Sequence, residues 1–275
     1  MKKWKRGAAL AAAVMLILIF CLPMVAALLD TGDGEFSKEM FLGSFYVALF
    51  VAVMAYAIWM VYRLLNKRRA PKNPGEIQNV VFDVGRVLVD FDWEAYLKRF
   101  GFPKEEYDKI AKAVFQSKVW DERDRGLYDE EEYIRQFIDA APEYKADIRK
   151  VVRDSYKTIV LRPYALTWVK YLRKQGYRLF VLSNYSKGMM DRTRNRLEFL
   201  PYMDGAIFSY EVKMLKPDLE IYQELLNRYQ LDPKTCVFID DRKENCKGAE
   251  KAGMRSVCFR DFKQAAADLE KLGVK

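Results

Sequence analysis

The chain has 275 residues, enough for one or two ordinary domains that bury a core of their own. Hydrophobic residues make up 51% and charged residues 31%, which excludes both a disordered chain and a protein made only of membrane spans. The chain has no histidine, so Ser-His-Asp and Cys-His catalysis, histidine-ligated zinc and a histidine general base are excluded. Acid–base chemistry must therefore use carboxylates, lysine, tyrosine, cysteine or metal-bound water.

The net charge of +9 is concentrated near the N-terminus. Residues 1–72 carry 10 Lys and Arg against 4 Asp and Glu, whereas residues 73–275 carry 37 against 34. The larger part therefore has a net charge of only +3, and its basic residues form no stripe interleaved with aromatic residues. This weak positive field argues against a nucleic-acid partner.

Residues 1–72 are typical of a membrane hairpin. Two uncharged stretches of 23 residues, 7–29 and 40–62, are each long enough to cross a lipid bilayer. Basic residues precede the first stretch and follow the second, and the segment between them is net acidic. By the positive-inside rule, two transmembrane helices are expected, with both termini and the following domain in the cytoplasm. A cleaved signal peptide is the alternative for the first stretch.

A linker with Pro and Gly at residues 73–76 separates this hairpin from residues 77–275, where strand-like and helix-like patterns alternate. Short apolar runs predict strands at 77–82, 178–183, 206–209, 235–240 and 256–259. Amphipathic stretches predict helices at 164–174, 219–229, 245–252 and 262–272. Strand alternating with helix predicts an α/β fold with a Rossmann-like parallel sheet.

Residues 92–160, between the first two predicted strands, depart from this alternation. They carry apolar residues at helical spacing and no convincing strand. We therefore expect an all-helical insertion in the α/β core.

Polar side chains collect where the predicted strands end, which is where parallel sheets bind ligands. They are Asp83, Ser183, Asn184, Lys216, Asp240, Asp241 and Asn245. Carboxylate oxygens bind Mg²⁺, a carboxylate can attack phosphorus, and lysine and hydroxyl groups can hold phosphate oxygens. Any one of these residues is more often a helix cap or part of a turn. Their joint occurrence at successive strand ends indicates a phosphoryl-transfer site.

Four motifs in these segments resemble, in order, those of the haloacid dehalogenase-like hydrolases. They are VVFDVGRVLVD at 80–90, LSNY at 182–185, KMLKPDLEIY at 213–222 and VFIDDRKEN at 237–245. The helical insertion is similar to the C1 cap of subclass I of that family. The opening Asp-x-Gly-x-Val is similar to that of sugar-phosphate phosphatases, including those that act on glucose 1-phosphate. The resemblance covers about residues 77–260.

The resemblance implies a Mg²⁺ site and a covalent mechanism. Asp83 would be the nucleophile that forms an aspartyl phosphate and also a ligand of the metal. The backbone carbonyl of Gly85 and the carboxylate of Asp241 would be further ligands. Asp240 and Asn245 would support the metal site or orient Lys216.

The same resemblance implies how the phosphate is held. Ser183 and the backbone of Asn184 would bind it, and Lys216 would neutralise charge on the nucleophile and the phosphoryl group. In the insertion, Trp120 could stack on a sugar ring and Arg123 could meet an anion. The alternative for these two residues is a packed aromatic ring and a solvated charge on a helical bundle.

Position 85 departs from the general pattern of the family. Most of its phosphatases carry a second aspartate two residues after the nucleophile, as an acid for the leaving group and then a base for water. A positioned acid or base accelerates such a reaction by ~10²- to 10⁴-fold. Asp90 and Asp92 are candidate substitutes, although the structural roles of turn and helix cap are more common for such residues. The similar sugar-phosphate phosphatases also have Gly here, which favours activity.

The sequence therefore predicts a membrane-anchored, Mg²⁺-dependent phosphatase of a small cytoplasmic phosphate monoester, such as a sugar phosphate. One alternative is a catalytically weak domain that acts as a membrane-tethered binding or regulatory module. Hydrolysis of a carbon–halogen bond is a second alternative. It needs no metal, so the presence of Asp241 and of Gly85 argues for a metal-bound phosphate instead.

Overall fold

The computed structural model describes residues 45–46, 49–56, 59 and 75–275. The chain divides into two compact units, residues 1–67 and residues 68–275. In the first unit the described residues are helical. The predicted span 7–29 and most of the predicted span 40–62 lie outside the described residues. Among the helices that are described, none combines the length and the apolar character needed to cross a membrane.

Residues 75–275 contain seven strands and eleven α-helices. The strands are β1 (Asn79–Phe82), β2 (Val89–Phe91), β3 (Ile159–Leu161), β4 (Arg178–Ser183), β5 (Gly205–Phe208), β6 (Cys236–Asp240) and β7 (Arg255–Cys258). The helices are α1 (Trp93–Lys98), α2 (Lys104–Ala113), α3 (Lys118–Arg125), α4 (Glu130–Ala140), α5 (Lys145–Asp154), α6 (Ala165–Lys174), α7 (Lys187–Thr193), α8 (Ser209–Val212), α9 (Leu219–Tyr229), α10 (Lys243–Lys251) and α11 (Phe262–Lys271). The five predicted strands and four predicted helices are confirmed to within two residues at each end.

Five strands form one parallel sheet in the order β5-β4-β1-β6-β7. The central strand β1 lies between β4 and β6, and Phe82 at its end is level with Val181 and Ile239. The predicted parallel α/β sheet is therefore confirmed. This order brings the carboxyl ends of β1, β4 and β6 side by side at one edge of the sheet.

Alternating side chains of the sheet pack against helices on its two faces, as the two-residue period of a strand requires. Val80 and Phe82 of β1 belong to a cluster that includes residues of α6 and α11. Val81 belongs to the cluster on the other face, which includes residues of α9 and α10. Because both faces are covered, polar groups reach solvent from the sheet mainly at the strand ends.

Helices α1 to α5 form an insertion between β1 and β4 with a hydrophobic cluster of its own, centred on Phe137, Ile134 and Trp120. The prediction of a helical insertion is therefore correct for residues 93–154. It is wrong at the boundary, because Val89–Phe91 and Ile159–Leu161 pair as an antiparallel two-stranded ribbon where the chain enters and leaves the insertion. Strands of three residues are too short to show a clear two-residue period.

Helix α3 of the insertion docks on the short helix α8 of the core. Gly126 ends α3 with φ +69°, a conformation that favours glycine. A Cβ atom at this position would lie 3.0 Å from the Cβ of Tyr210 and 3.3 Å from Nζ of Lys213. Glycine thus allows both the left-handed turn and the close approach of insertion and core.

Candidate active site

A cavity of about 360 Å³ lies between the carboxyl ends of the strands and the helical insertion. Its polar wall comes from the core and includes Asp83, Gly85, Asn184, Lys216, Asp241 and Asn245. Its apolar wall comes from the ribbon and the insertion, with Phe91, Trp93, Phe115 and Trp120. The structure thus brings seven of the ten predicted site residues to one cavity, six from the core and Trp120 from the insertion.

Lys216 is buried between two carboxylates. Its Nζ lies 2.7 Å from Oδ1 of Asp83 and 2.6 Å from Oδ2 of Asp240. The Lys216 side chain is 1% exposed and that of Asp240 is fully buried. Two acceptors at this distance satisfy a buried ammonium group that would otherwise be costly to desolvate. The ammonium is therefore held directly against the carboxylate that the sequence predicts as the nucleophile.

Asp240 is itself held on three sides. Nδ2 of Asn245 donates to both of its carboxylate oxygens, at 2.9 and 3.0 Å, and the backbone N–H of Arg242 donates to Oδ1 at 2.9 Å. With Lys216 on Oδ2, both oxygens are occupied. Asp240 and Asn245 therefore orient Lys216, which is one of the two supporting roles that the sequence predicts for them.

Asn184 uses its side chain on the main chain of Lys216. Its Oδ1 accepts from the Lys216 N–H at 2.8 Å, and its Nδ2 donates to the Lys216 carbonyl at 3.0 Å. Asn184 also lines the cavity, and the predicted contact of its backbone with phosphate stays a prediction. Ser183 is different, since it is 1% exposed and is not among the residues that line the cavity. The predicted contact of Ser183 with phosphate therefore stays a prediction.

Burial and charge shift the pKa values of these groups. Burial, together with the charges of Asp240 and Asp241, raises the pKa of Asp83 to about 6 against the opposing attraction of Lys216. Burial by itself would lower the pKa of Lys216, but the charges of Asp240 and Asp83 outweigh it and raise that pKa. Burial and the neighbouring Asp240 raise the pKa of Asp241 as well. Lys216 is thus held as a cation, and a further positive charge beside Asp83 and Asp241 would favour their ionised forms.

The donor set beside Asp83 fits a hard divalent cation. Carboxylate oxygens of Asp83, Asp240 and Asp241 lie within 4.8 Å of one another. Since Asp240 is occupied by its hydrogen bonds, Asp83, Asp241 and the backbone carbonyl of Gly85 are the groups that would hold Mg²⁺. The guanidinium of Arg86, which is half exposed, lies 4.0 Å from Asp241.

The two predicted substrate-binding residues of the insertion differ in position. Trp120 lines the cavity, although it is only 9% exposed and packs on Phe115 with ring centroids 4.8 Å apart. The prediction that Arg123 meets a substrate anion is corrected, because Arg123 does not line the cavity. Its side chain is 2% exposed and donates to Glu130 at 3.0 and 2.5 Å. Helical spacing turns Arg123 into the insertion, where Glu130 neutralises its charge.

The structure also places the two candidate substitutes for the absent second aspartate. Asp90 lies in β2 and pairs with Arg162 at 2.9 Å. Asp92 caps α1 by accepting from the Ala95 N–H at 2.8 Å. Neither residue lines the cavity. Asp92 is therefore the helix cap that is the more common role for such a residue, whereas Asp90 has a different structural role, as a strand residue in an ion pair with Arg162.

Sequence reasoning missed four charged residues that line the cavity, Arg86, Asp121, Asp124 and Arg242. Asp124 lies in a run of interspersed acidic and basic residues, where pairing with its neighbours is the simplest expectation. No local signal distinguishes the acidic residues that line the cavity, Asp121 and Asp124, from Glu122, which pairs with Arg125.

Comparison with known proteins agrees with this geometry. Residues 77–253 match the family model described as haloacid dehalogenase-like hydrolase. Flavin mononucleotide hydrolase 1 of Arabidopsis thaliana is 29% identical over 197 residues, which cover 71% of this chain and 77% of that protein. A sesquiterpene phosphatase of Aspergillus oryzae is 24% identical over 198 residues, which cover 70% of this chain and 94% of that protein.

A solved structure is similar over the same region. It is a HAD family enzyme of Bacteroides thetaiotaomicron in a magnesium complex, with a TM-score of 0.58 and 25% sequence identity. The similarity covers 73% of this chain and all of that chain.

The family match spans all but the last part of the sheet and includes every core residue of the cavity named above. Within it, an acidic cluster adjoins the buried pair of Asp83 and Lys216, which suits a metal-bound phosphate better than metal-free hydrolysis of a carbon–halogen bond. The chain therefore belongs to the haloacid dehalogenase-like hydrolases, and within them it is a phosphoric monoester hydrolase.

Proposed function

We propose that this chain hydrolyses a small phosphate monoester with Mg²⁺ through an aspartyl phosphate on Asp83. The observation that carries the proposal is the buried group of Asp83, Lys216 and Asp240, with Asp241 adjoining it at the cavity surface. A carboxylate held by a lysine at the edge of a cavity has the position and charge of a nucleophile for phosphorus.

The chain's own residues account for the covalent step. Asp83 attacks the phosphorus of the ester, the bond to the leaving-group oxygen breaks, and water later releases inorganic phosphate. Lys216 bonds one Asp83 oxygen at 2.7 Å, so it positions the carboxylate and reduces its repulsion of the anionic substrate. Mg²⁺ held by Asp83, Asp241 and the Gly85 carbonyl would supply the additional positive charge that two anions need to approach each other.

The cavity supports a substrate that carries a ring. Its roof is aromatic, with Trp93 stacked on Phe115 at 5.1 Å and Trp120 beside them. A volume of about 360 Å³ suits a metabolite of modest size. A sugar phosphate meets both conditions, since the apolar face of a sugar ring packs on aromatic side chains.

The test is an assay of the full chain in detergent on a panel of sugar, alkyl and aryl phosphates, with and without Mg²⁺. We expect turnover that requires Mg²⁺ and that Asp83→Asn abolishes. The matched control is Asp139→Asn, which removes an exposed carboxylate from α4 and should retain full turnover. Equal turnover in Asp83→Asn and the unchanged chain, or turnover without Mg²⁺, would overturn the proposal.

We further propose that residues 1–72 anchor the enzyme in a membrane by two spans, 7–29 and 40–62, and that the hydrolase domain faces the cytoplasm. The charge distribution around the two apolar stretches supports this topology. Labelling of single introduced cysteines in intact cells tests it. Labelling of residues in 73–275 from outside the cell would overturn it.

Position 85 gives a second candidate function some support, because no carboxylate follows the nucleophile at that point. The domain would then bind Mg²⁺ and phosphate as a membrane-tethered regulatory module. A chain that binds Mg²⁺ but hydrolyses no ester until Gly85→Asp is introduced would favour this function over the first.

A further inference from the structure

Hydrolysis of a phosphate monoester needs a group that gives a proton to the leaving oxygen and then takes one from the attacking water. Position 85 offers no such group, and a Cβ atom built there meets nothing within 4 Å. The space beside Asp83 is therefore open, and the acid must come from elsewhere in the cavity wall.

Few residues that line the cavity can exchange a proton near neutral pH. Lys216 is held as a cation by two carboxylates, and burial raises the pKa of Tyr185 to about 12. Asp83 and Asp241 have the roles of nucleophile and metal ligand. Of the titratable groups in the described cavity wall, the remaining carboxyls are Asp121 and Asp124 of α3.

Asp124 is tied to the core at the point where insertion and core meet. Its backbone carbonyl accepts a hydrogen bond from Oγ of Ser209 at 2.5 Å. The same Ser209 Oγ accepts from the backbone N–H of Tyr185 at 2.9 Å, and Ser209 is fully buried. One hydroxyl therefore links the backbone of Asp124 to the loop that follows β4.

The carboxyl of Asp124 is free for chemistry, whereas the two arginines that flank it in α3 are paired. Asp121 of the same helix also has no ion-pair partner among the described residues, but it is exposed, whereas Asp124 is partly buried. Arg123 bonds Glu130, and Arg125 lies 3.0 Å from Glu122. Across the described part of the chain, no hydrogen bond or ion pair reaches the Asp124 carboxyl, although it lines the cavity.

The charges that face Asp124 come from both sides of the cavity. Arg123 and Asp121 lie on its own helix, Asp83 and Lys216 face it from the core, and Tyr185 lies on the loop joined through Ser209. Burial raises the pKa of Asp124 to about 7, opposed by Arg123 and reinforced by Asp121 and Asp83. This carboxyl can therefore hold a proton and also lose it near neutral pH.

We propose that Asp124 is the general acid and general base of the hydrolysis, a role that rests on the proposed function of the site. In the first step, Asp83 forms a bond to phosphorus, the ester P–O bond breaks, and the Asp124 carboxylic acid gives its proton to the leaving oxygen. In the second step, the Asp124 carboxylate takes a proton from water as that water attacks phosphorus. Inorganic phosphate leaves, Asp83 is regenerated and Asp124 is again protonated.

The test compares Asp124→Asn with the unchanged full chain on two substrates, an alkyl phosphate and 4-nitrophenyl phosphate. An alkoxide needs a proton to leave, whereas 4-nitrophenolate does not. We therefore expect kcat/KM of the variant to fall by ~10²-fold or more for the alkyl phosphate and by less than about tenfold for 4-nitrophenyl phosphate. The variant should also accumulate the aspartyl phosphate with 4-nitrophenyl phosphate, seen as a burst of nitrophenolate, because water lacks its base.

The control is Asp121→Asn, which removes a negative charge from the same helix and the same cavity. It should change kcat/KM for the two substrates by similar factors, because it alters only the field in the cavity. For the alkyl phosphate, kcat/KM of the unchanged chain should fall as pH rises above about 7, and Asp124→Asn should lack this decrease.

Equal losses of kcat/KM for both substrates in Asp124→Asn would overturn the role of Asp124, as would full activity. Thermal unfolding of the variant verifies that the nearly isosteric change leaves the fold intact. Failure of the unchanged chain to hydrolyse any ester overturns the proposed function instead, so the two failures are distinguishable.

Discussion

The side-chain amide of Asn184 forms two hydrogen bonds with the main chain of Lys216: its Oδ1 accepts from the Lys216 N–H at 2.8 Å, and its Nδ2 donates to the Lys216 carbonyl at 3.0 Å. This pair of bonds joins the loop after β4 to the loop before α9. The position of the Lys216 ammonium between Asp83 and Asp240 thus depends on a residue that does not touch the ammonium itself.

Replacement of Asn184 by alanine should lower kcat by about tenfold, because hydrogen bonds that place Lys216 contribute ~1 kcal/mol each and their loss displaces the ammonium. The steady-state kinetics of the purified variant measure this change. Asn227→Ala, on the exposed side of α9, is the control and should keep the kcat of the unchanged chain. An unchanged kcat in Asn184→Ala would show that the loop positions Lys216 without the amide.

Replacement of Gly126 by alanine should destabilise the protein more than replacement of Gly101. Both glycines have φ +69°, so alanine costs ~1 to 2 kcal/mol of backbone strain at either site. At Gly126 the new Cβ also meets Tyr210 at 3.0 Å, whereas at Gly101 it meets nothing within 4 Å. Urea unfolding of the two variants measures the difference in free energy. Equal losses of unfolding free energy in the two variants would mean that the contact of α3 with α8 at Gly126 adds nothing to the cost of the substitution.

The affinity for Mg²⁺ should fall as pH decreases through about 6. Burial raises the pKa of Asp83 to about 6 in the metal-free protein, so below that pH a proton occupies a carboxylate that the cation needs. Titration calorimetry at several pH values measures this dependence. Asp83→Asn should bind Mg²⁺ more weakly and with less dependence on pH, and constant affinity between about pH 5 and pH 8 would contradict the expectation.

Removal of the indole at position 93 should affect substrates with rings selectively. Trp93 lines the cavity and stacks on Phe115 with an interplanar angle of 15°. Loss of an aromatic contact of ~1 kcal/mol should raise KM for a ring-bearing phosphate about five- to tenfold in Trp93→Ala and leave KM for methyl phosphate unchanged. Equal increases in KM for both substrates would indicate a general change in the cavity.

The core half of the site could be predicted from the sequence because strand ends are defined by local patterns. Asp83, Asn184 and Asp241 follow buried strands, and the parallel order of β1, β4 and β6 then brings them together. The role of Lys216 beside the nucleophile is implied by the family resemblance of its motif, whereas its pairing with both Asp83 and Asp240 is seen only in the structure.

The insertion half could not be predicted in the same way. Residues 121–125 are all charged, three acidic and two basic, and which of them line the cavity depends on how α3 docks on α8. Arg123 turns towards Glu130, seven residues later, while the carbonyl of Asp124 is fixed by Ser209, 85 residues later in the chain. Contacts of this range leave no periodic signal in the sequence.

The ribbon of β2 and β3 has a consequence for how the two halves of the site work together. Asp83 belongs to the sheet and Asp124 to the insertion, and the chain passes between the two bodies only through this ribbon. Contacts such as the bond from Ser209 to Asp124 therefore decide whether the nucleophile and the proposed proton donor face the same phosphate. A substitution where the insertion contacts the core can slow hydrolysis although it changes none of the groups that touch the phosphate.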